Sequence, residues 1–130
     1  MLGLREPEIY GDQTLDDIEG LCLETAAALG MRIDFRQSNH EGELVEWIQG
    51  AKGGFNGLII NGAAYTHTSI AIHDALKLLD IPIIEVHLSN PKEREEFRHS
   101  SYIEPLASKV IVGRGGDGYA LALEKLKELL

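Results

Sequence analysis

The sequence predicts one α/β domain spanning residues 1–130, a three-layer fold with a parallel sheet between helices. Two patterns carry this prediction. Gly57-Leu58-Ile59-Ile60 and Ile81-Pro82-Ile83-Ile84-Glu85-Val86 are short apolar runs of the kind buried on both faces of a parallel sheet. Segments of helical period alternate with these runs, as successive strand–helix–strand units require.

Residues Met1 to Gln13 are polar and turn-rich (Gly3, Pro7, Gly11) and read as a loop. A helix follows, with Thr14 and Asp17 spaced as a capping box. Leu15, Ile18, Leu21, Cys22 and Leu29 share one face of it, and Gly30 is placed to end it in the left-handed conformation. Met31, Ile33 and Phe35 alternate with Arg32, Asp34 and Arg36, which predicts a half-buried strand. A short helix from about Gly42 to Ala51 buries Leu44, Val45 and Ile48, and Gly53-Gly54 breaks it. Beyond the strand at 57–60, a helix from about Ser69 to Leu79 leads to the strand at 81–86. A polar stretch runs from His87 to about His99, where Glu93, Arg94, Glu95, Glu96 and Arg98 read as a solvated helical face. Lys109-Val110-Ile111-Val112 is the last strand, and Tyr119 to Leu130 the last helix. The glycine-rich Gly113 to Gly118 matches neither phosphate-binding glycine pattern and reads as a tight strand-to-helix turn.

These elements fit the flavodoxin-like strand order 2-1-3-4-5, except that the chain opens on a loop and helix. The absent first strand would lie in the centre, between the strand at Met31–Arg36 and the one at Gly57–Ile60. Its loss would leave a gap of roughly 9–10 Å lined by unpaired backbone groups.

Composition narrows the function. The net charge of −9 lacks the positive footprint that nucleic acid needs, though clustered arginines could still build a local pocket for a small anion. No apolar run approaches the length of a membrane span. A single cysteine excludes an internal disulfide and fits a reducing, cytoplasmic setting. Five histidines without ligand spacing argue against a metal site.

Open parallel sheets bind ligands at the carboxyl ends of their strands. Ser38, Asn39 and His40 fall there, as do Asn61 with His67, and Glu85, His87, Ser89 and Asn90; Arg5 and Tyr10 sit in the opening loop. Each has a plainer reading. Tyr10 could simply pack. A phenol near pKa 10 acts as a base only beside positive charge, which Arg5 could supply. His67 could cap or precede a helix. Glu85 and His87 share one face of a strand end, an arrangement found in acid–base sites and in structural hydrogen bonding alike.

Several stretches together give a specific signal: LGLREPEIYG (2–11), FRQSNHEGELVEWIQ (35–49), INGAAYTHTSIAIHDA (60–75) and IIEVHLSNPKEREEFRHSSY (83–102). Across almost the whole chain they resemble the type II 3-dehydroquinate dehydratase family. The resemblance implies dehydration of 3-dehydroquinate to 3-dehydroshikimate, in the shikimate or quinate pathway, by anti elimination through an enolate without metal, cofactor or covalent intermediate. It implies Tyr10 as the general base at C2, Arg5 as the group that keeps it ionised, and His87 as the acid that protonates the departing C1 hydroxyl, with Glu85 orienting its ring. It also implies that the amides of Leu88 and Ser89 hold the substrate carboxylate, and that Asn61, His67 and Arg98 grip its hydroxyls and carboxylate. Asp74 would reach a neighbouring subunit's site, Arg94 would support from the lid side, and the protein would form trimers assembled into a dodecamer.

Two departures accompany the resemblance. The family opens with a strand and an NGPNLN-like segment, where here Met1 stands before the Leu2-Gly3 pair; Ser100 stands where a histidine is expected. Lacking the strand and its asparagine, a chain of this length is expected to be poorly stable and to show no measurable dehydration, since one lost electrostatic donor costs ~10²–10³ in rate. A late-assigned start of an active enzyme is the leading explanation. The alternative is a non-catalytic remnant that binds ligand or partner subunits without turnover. A third reading is an unrelated enzyme class on a flavodoxin-like scaffold, because fold alone does not fix function. Retention of Arg5, Tyr10, Asn61, His67, His87 and Arg98 together speaks against both alternatives.

Overall fold

A computed structural model describes residues 14–130. In chain order the helices and strands are α1 (Leu15–Ala28), α2 (Glu41–Gly50), β1 (Leu58–Ile60), α3 (Ile70–Lys77), β2 (Ile83–His87), β3 (Lys109–Val112) and α4 (Asp117–Leu129). The three strands form a parallel sheet in the order β1-β2-β3. Parallel neighbours cannot be joined by a tight turn, so each connection crosses one face of the sheet.

Side chains of β2 alternate between two cores. Ile83 points to the face covered by α2 and α3, where it packs with Ile48, Ile60, Ile72, Leu76 and Ile103. Ile84 and Val86 point to the opposite face and pack with Ile111, Ala122 and Leu126. On that side α1 adds Ile18, Cys22 and Ala26 against Leu88 and Leu123. The result is the flavodoxin-like, three-layer arrangement the alternation predicts. Among the described residues no helix is long and apolar enough to cross a membrane.

Local signals explain where the helices begin. The Thr14 hydroxyl accepts from the Asp17 amide (3.1 Å) while the Asp17 carboxylate accepts from the Thr14 amide (3.0 Å), closing the capping box. Gly30 follows α1 at φ +70°, as its position predicted. At α3 the cap is Ser69, whose hydroxyl accepts from the Ile72 amide at 2.9 Å. The predicted Gly113–Gly118 turn is shorter than expected, because α4 begins at Asp117 and takes in Gly118. Gly113 (φ +72°) and Gly115 (φ +54°) supply its left-handed residues, and the Gly115 amide donates to the Leu88 carbonyl (2.9 Å), seating the turn against the end of β2.

Two expectations need correction. Met31–Arg36 is not a strand of the described sheet: Met31, Ile33 and Phe35 are half-buried and alternate with exposed Arg32, Asp34 and Arg36, but among the described residues no ladder forms. Alternation specifies which side chains face the core. A strand also needs a hydrogen-bonded neighbour, and none of the described strands supplies one. The 93–98 segment is likewise no continuous helical face, but two single 3-10 turns, Pro91–Glu93 and Glu96–Arg98. The Asn90 side chain starts the first by accepting from the Lys92 amide (3.1 Å). These turns, with a third at Glu104–Leu106, build a wall beside the end of β2.

Candidate active site

β2 ends in Glu85-Val86-His87, and its parallel register sets Glu85 between Ile60 and Val110. Residues two apart on a strand share a face. Glu85 and His87 therefore point together, and His87 Nε2 donates to Glu85 Oε2 at 2.6 Å. Both are buried, with Glu85 1% and His87 8% exposed. A carboxylate this deep persists only with hydrogen-bond donors around it. The second donor is Ser101, whose hydroxyl reaches the same oxygen at 2.8 Å.

The pair lines a cavity of about 260 Å³, together with His67, Asn90, Lys92, Arg98, His99 and Ser101. The His67 and His87 rings face each other nearly parallel, with centroids 6.3 Å apart. His67 ends a 3-10 helix (Ala63–His67), and its Nδ1 donates to the Ser100 carbonyl at 2.7 Å. Position 100, where a histidine was expected, thus contributes to the site through a backbone atom that every residue has. Arg98 is held by Glu95, Nε to Oε2 at 2.7 Å. The backbone amide of Glu95 and then the Arg98 guanidinium keep that exposed carboxyl below the usual carboxylate range. Lys92 and Arg98 bring positive charge to this cavity, which Glu85 and Glu104 also line.

Asn61 follows β1 and does not itself line the cavity. Its Oδ1 accepts from the Ala63 amide (2.9 Å) and its Nδ2 donates to the Tyr119 hydroxyl (3.1 Å). Ala63 sits at φ +49°, a left-handed value that costs a non-glycine residue roughly 1 kcal/mol and commonly marks a functional loop. Gly62 cannot be larger, because a Cβ there would lie 2.5 Å from Thr66 Oγ1 and 2.9 Å from Ile103 Cδ1.

The structure thus brings together Glu85, His87, His67 and Arg98 around one cavity, with Asn61 in the loop that leads to His67. Leu88 directs its side chain into the core, and Ser89 follows it half-buried at the end of β2. Asp74 is exposed on α3 and does not line the cavity. Arg94 is half-buried beside the wall, its carbonyl accepting from His99 Nε2 (3.1 Å). The Ser38–His40 cluster does not line the cavity either; Ser38 and Asn39 order their own loop, and the Asn39 carbonyl accepts from the Tyr65 hydroxyl (2.9 Å). Arg5 and Tyr10 lie outside the described residues. Ser101, His99 and Lys92 were not singled out by sequence. The Ser101–Glu85 contact joins positions 16 apart, which no local pattern reports.

A buried carboxylate–imidazole pair opening on a cavity lined by Lys92 and Arg98 can move a proton to or from a bound molecule. The comparisons agree with that chemistry. The family described as Dehydroquinase class II matches residues 1–127. A 3-dehydroquinate dehydratase of Bartonella henselae is 62% identical over 123 residues, covering 95% of this chain and 83% of that protein. One of Streptomyces avermitilis is 56% identical over 130 residues, covering 99% of this chain and 82% of that protein. The crystal structure of a type II dehydroquinase from Propionibacterium acnes superposes with a TM-score of 0.94 at 43% identity, covering 98% of this chain and 88% of that one. Sequence match, superposition and the chemistry at the end of β2 lead to one conclusion: the chain belongs to the class II dehydroquinase family.

Proposed function

We propose that this chain, against the expectation of no turnover drawn from its opening residues, dehydrates 3-dehydroquinate to 3-dehydroshikimate, a carbon–oxygen lyase reaction. The observation that carries the proposal is the buried Glu85–His87 pair, 2.6 Å apart and opening on the cavity shared with His67 and Arg98. Tyr10, as a phenolate kept ionised by Arg5, removes the proton at C2 next to the ketone, and the electrons move into an enolate. The enolate collapses, the C1–oxygen bond breaks, and His87 protonates the departing hydroxyl to release water. Because His87 Nε2 donates to Glu85, Nδ1 is the ring nitrogen left to deliver that proton. The amides of Leu88 and Ser89 hold the substrate carboxylate, while Asn61, His67 and Arg98 grip its hydroxyls and carboxylate.

Exposure of Asp74 on α3, away from the cavity, fits a role at a neighbouring subunit's site. The proposed assembly is trimers combined into a dodecamer, working in the cytoplasm on a small anionic substrate, with no nucleic-acid or membrane partner.

The test follows formation of the conjugated enone by ultraviolet absorbance, using the protein as its gene encodes it. Turnover is expected to disappear in Tyr10→Phe while ligand binding persists, and to fall ~10²–10⁴-fold in His87→Ala. Near-normal turnover in Tyr10→Phe overturns the assignment of the base. Binding without turnover in the unsubstituted protein overturns the proposed activity.

A further inference from the structure

We propose that Ser101 is a positioning residue for the dehydration, fixing the Glu85 carboxylate that in turn holds the His87 ring. A serine hydroxyl has one proton to donate and two lone pairs with which to accept. At Ser101 both lone pairs are engaged, by the amides of Ile103 (3.1 Å) and Glu104 (3.0 Å). The proton is left one direction, and Glu85 Oε2 lies there at 2.8 Å. The same oxygen receives the His87 Nε2 hydrogen. Glu85 Oε1 is buried without a hydrogen-bond partner among the described residues. All the described hydrogen bonding that sets this carboxylate's rotation therefore passes through Oε2, and Ser101 supplies the donor that is not the reacting group.

The anchor is itself firmly held. The Tyr102 amide donates to the Thr66 carbonyl (2.9 Å), and Ile103 is completely buried in the core under α2 and α3. Ser101 thus ties the end of β2 to a fixed point in the wall. Without its hydroxyl, the outer torsion of Glu85 reverts to a broad, weakly preferred rotation. The His87 ring then loses its fixed aim at the leaving hydroxyl, and misplacement of about 1 Å can cost ~10²-fold in rate.

The inference rests on His87 acting as the general acid. A purely structural role, in which Ser101 only caps the Glu104–Leu106 turn, would weaken the fold without acting through Glu85. A double-mutant cycle separates the two. Ser101→Ala, Glu85→Gln and the combined variant are assayed for enone formation, with urea midpoints measured alongside. Ser101→Ala is expected to lower kcat about tenfold and move KM less than about twofold, because the loss is one of orientation rather than of binding. In the Glu85→Gln background the same change should alter kcat less than about twofold. Equal losses in both backgrounds, or unchanged kcat in folded Ser101→Ala, overturn the proposal. Should Ser101→Ala fail to fold, Ser101→Cys reads the same quantity, its thiol being a weak donor, and unchanged kcat there overturns the proposal equally. No turnover in the unsubstituted protein overturns the reading of function itself, whereas turnover that ignores position 101 overturns only this inference.

Discussion

An imidazole bonded to a carboxylate at 2.6 Å, both out of solvent, is costly to assemble, and the neighbours of Glu85 and His87 show how it is kept. The strand supplies the shared direction, and Ser101 the second donor. Of these, the Glu85-x-His87 spacing was legible in the sequence, because side-chain direction on a strand has a fixed period of two. Ser101 was not legible, because its role depends on a loop folding back across the end of β2. A different buried group gives a pH prediction. Burial, and then the nearby Glu19 carboxylate, push the Cys22 thiol from 9.0 up to about 11. The folded chain keeps this proton where the unfolded chain loses it. The contribution to stability is therefore full below pH 9.0 and is lost as pH rises toward 11. Urea unfolding at pH 8 and pH 11 should show a fall of about 1–2 kcal/mol that is absent in Cys22→Ala. Equal falls in both proteins would assign the alkaline loss to other groups.

At the scale of elements, caps and glycines fixed the boundaries that sequence could read. Thr14 with Asp17, Gly30, and the turn at Gly113 and Gly115 stand where their chemistry placed them, while the last helix starts two residues earlier than expected, at Asp117. The failure at Met31–Arg36 has a physical origin: alternation is a property of the chain, and pairing is a property of two chains side by side. The loop from Asn61 to His67 carries the tightest constraint. A methyl group at Gly62 would run into Thr66 and Ile103, both buried. Gly62→Ala should cost about 1–3 kcal/mol by overpacking, read as a lower urea midpoint with an unchanged slope. Because Ile103 follows Ser101, the same variant should also lower kcat. An unchanged midpoint would mean that the loop relaxes freely and that the strain at Ala63 is not shared with its neighbours.

For the whole molecule, one central strand serves two cores and one site. Ile84 looks into the core under α4, while Ile72 of α3 closes the core on the other face. Both are fully buried, so Ile84→Ala and Ile72→Ala should each cost about 2–5 kcal/mol in urea unfolding. The expected difference is functional: Ile72 shares its core with Ile103, so its loss reaches the Ser101 anchor. Ile72→Ala should therefore lower kcat more than Ile84→Ala at equal folded fraction, and the reverse order would refute that link. By itself the sequence determined the layered α/β class, the strands at 58–60, 83–87 and 109–112 to within two residues at each end, and the family, because hydrophobic period, caps and motif order are written along the chain. Tertiary structure alone decided which segments pair and which distant groups meet. Hydrogen-bonded neighbours across a sheet, and a serine closing on a glutamate 16 residues away, are contacts that only the packed chain creates.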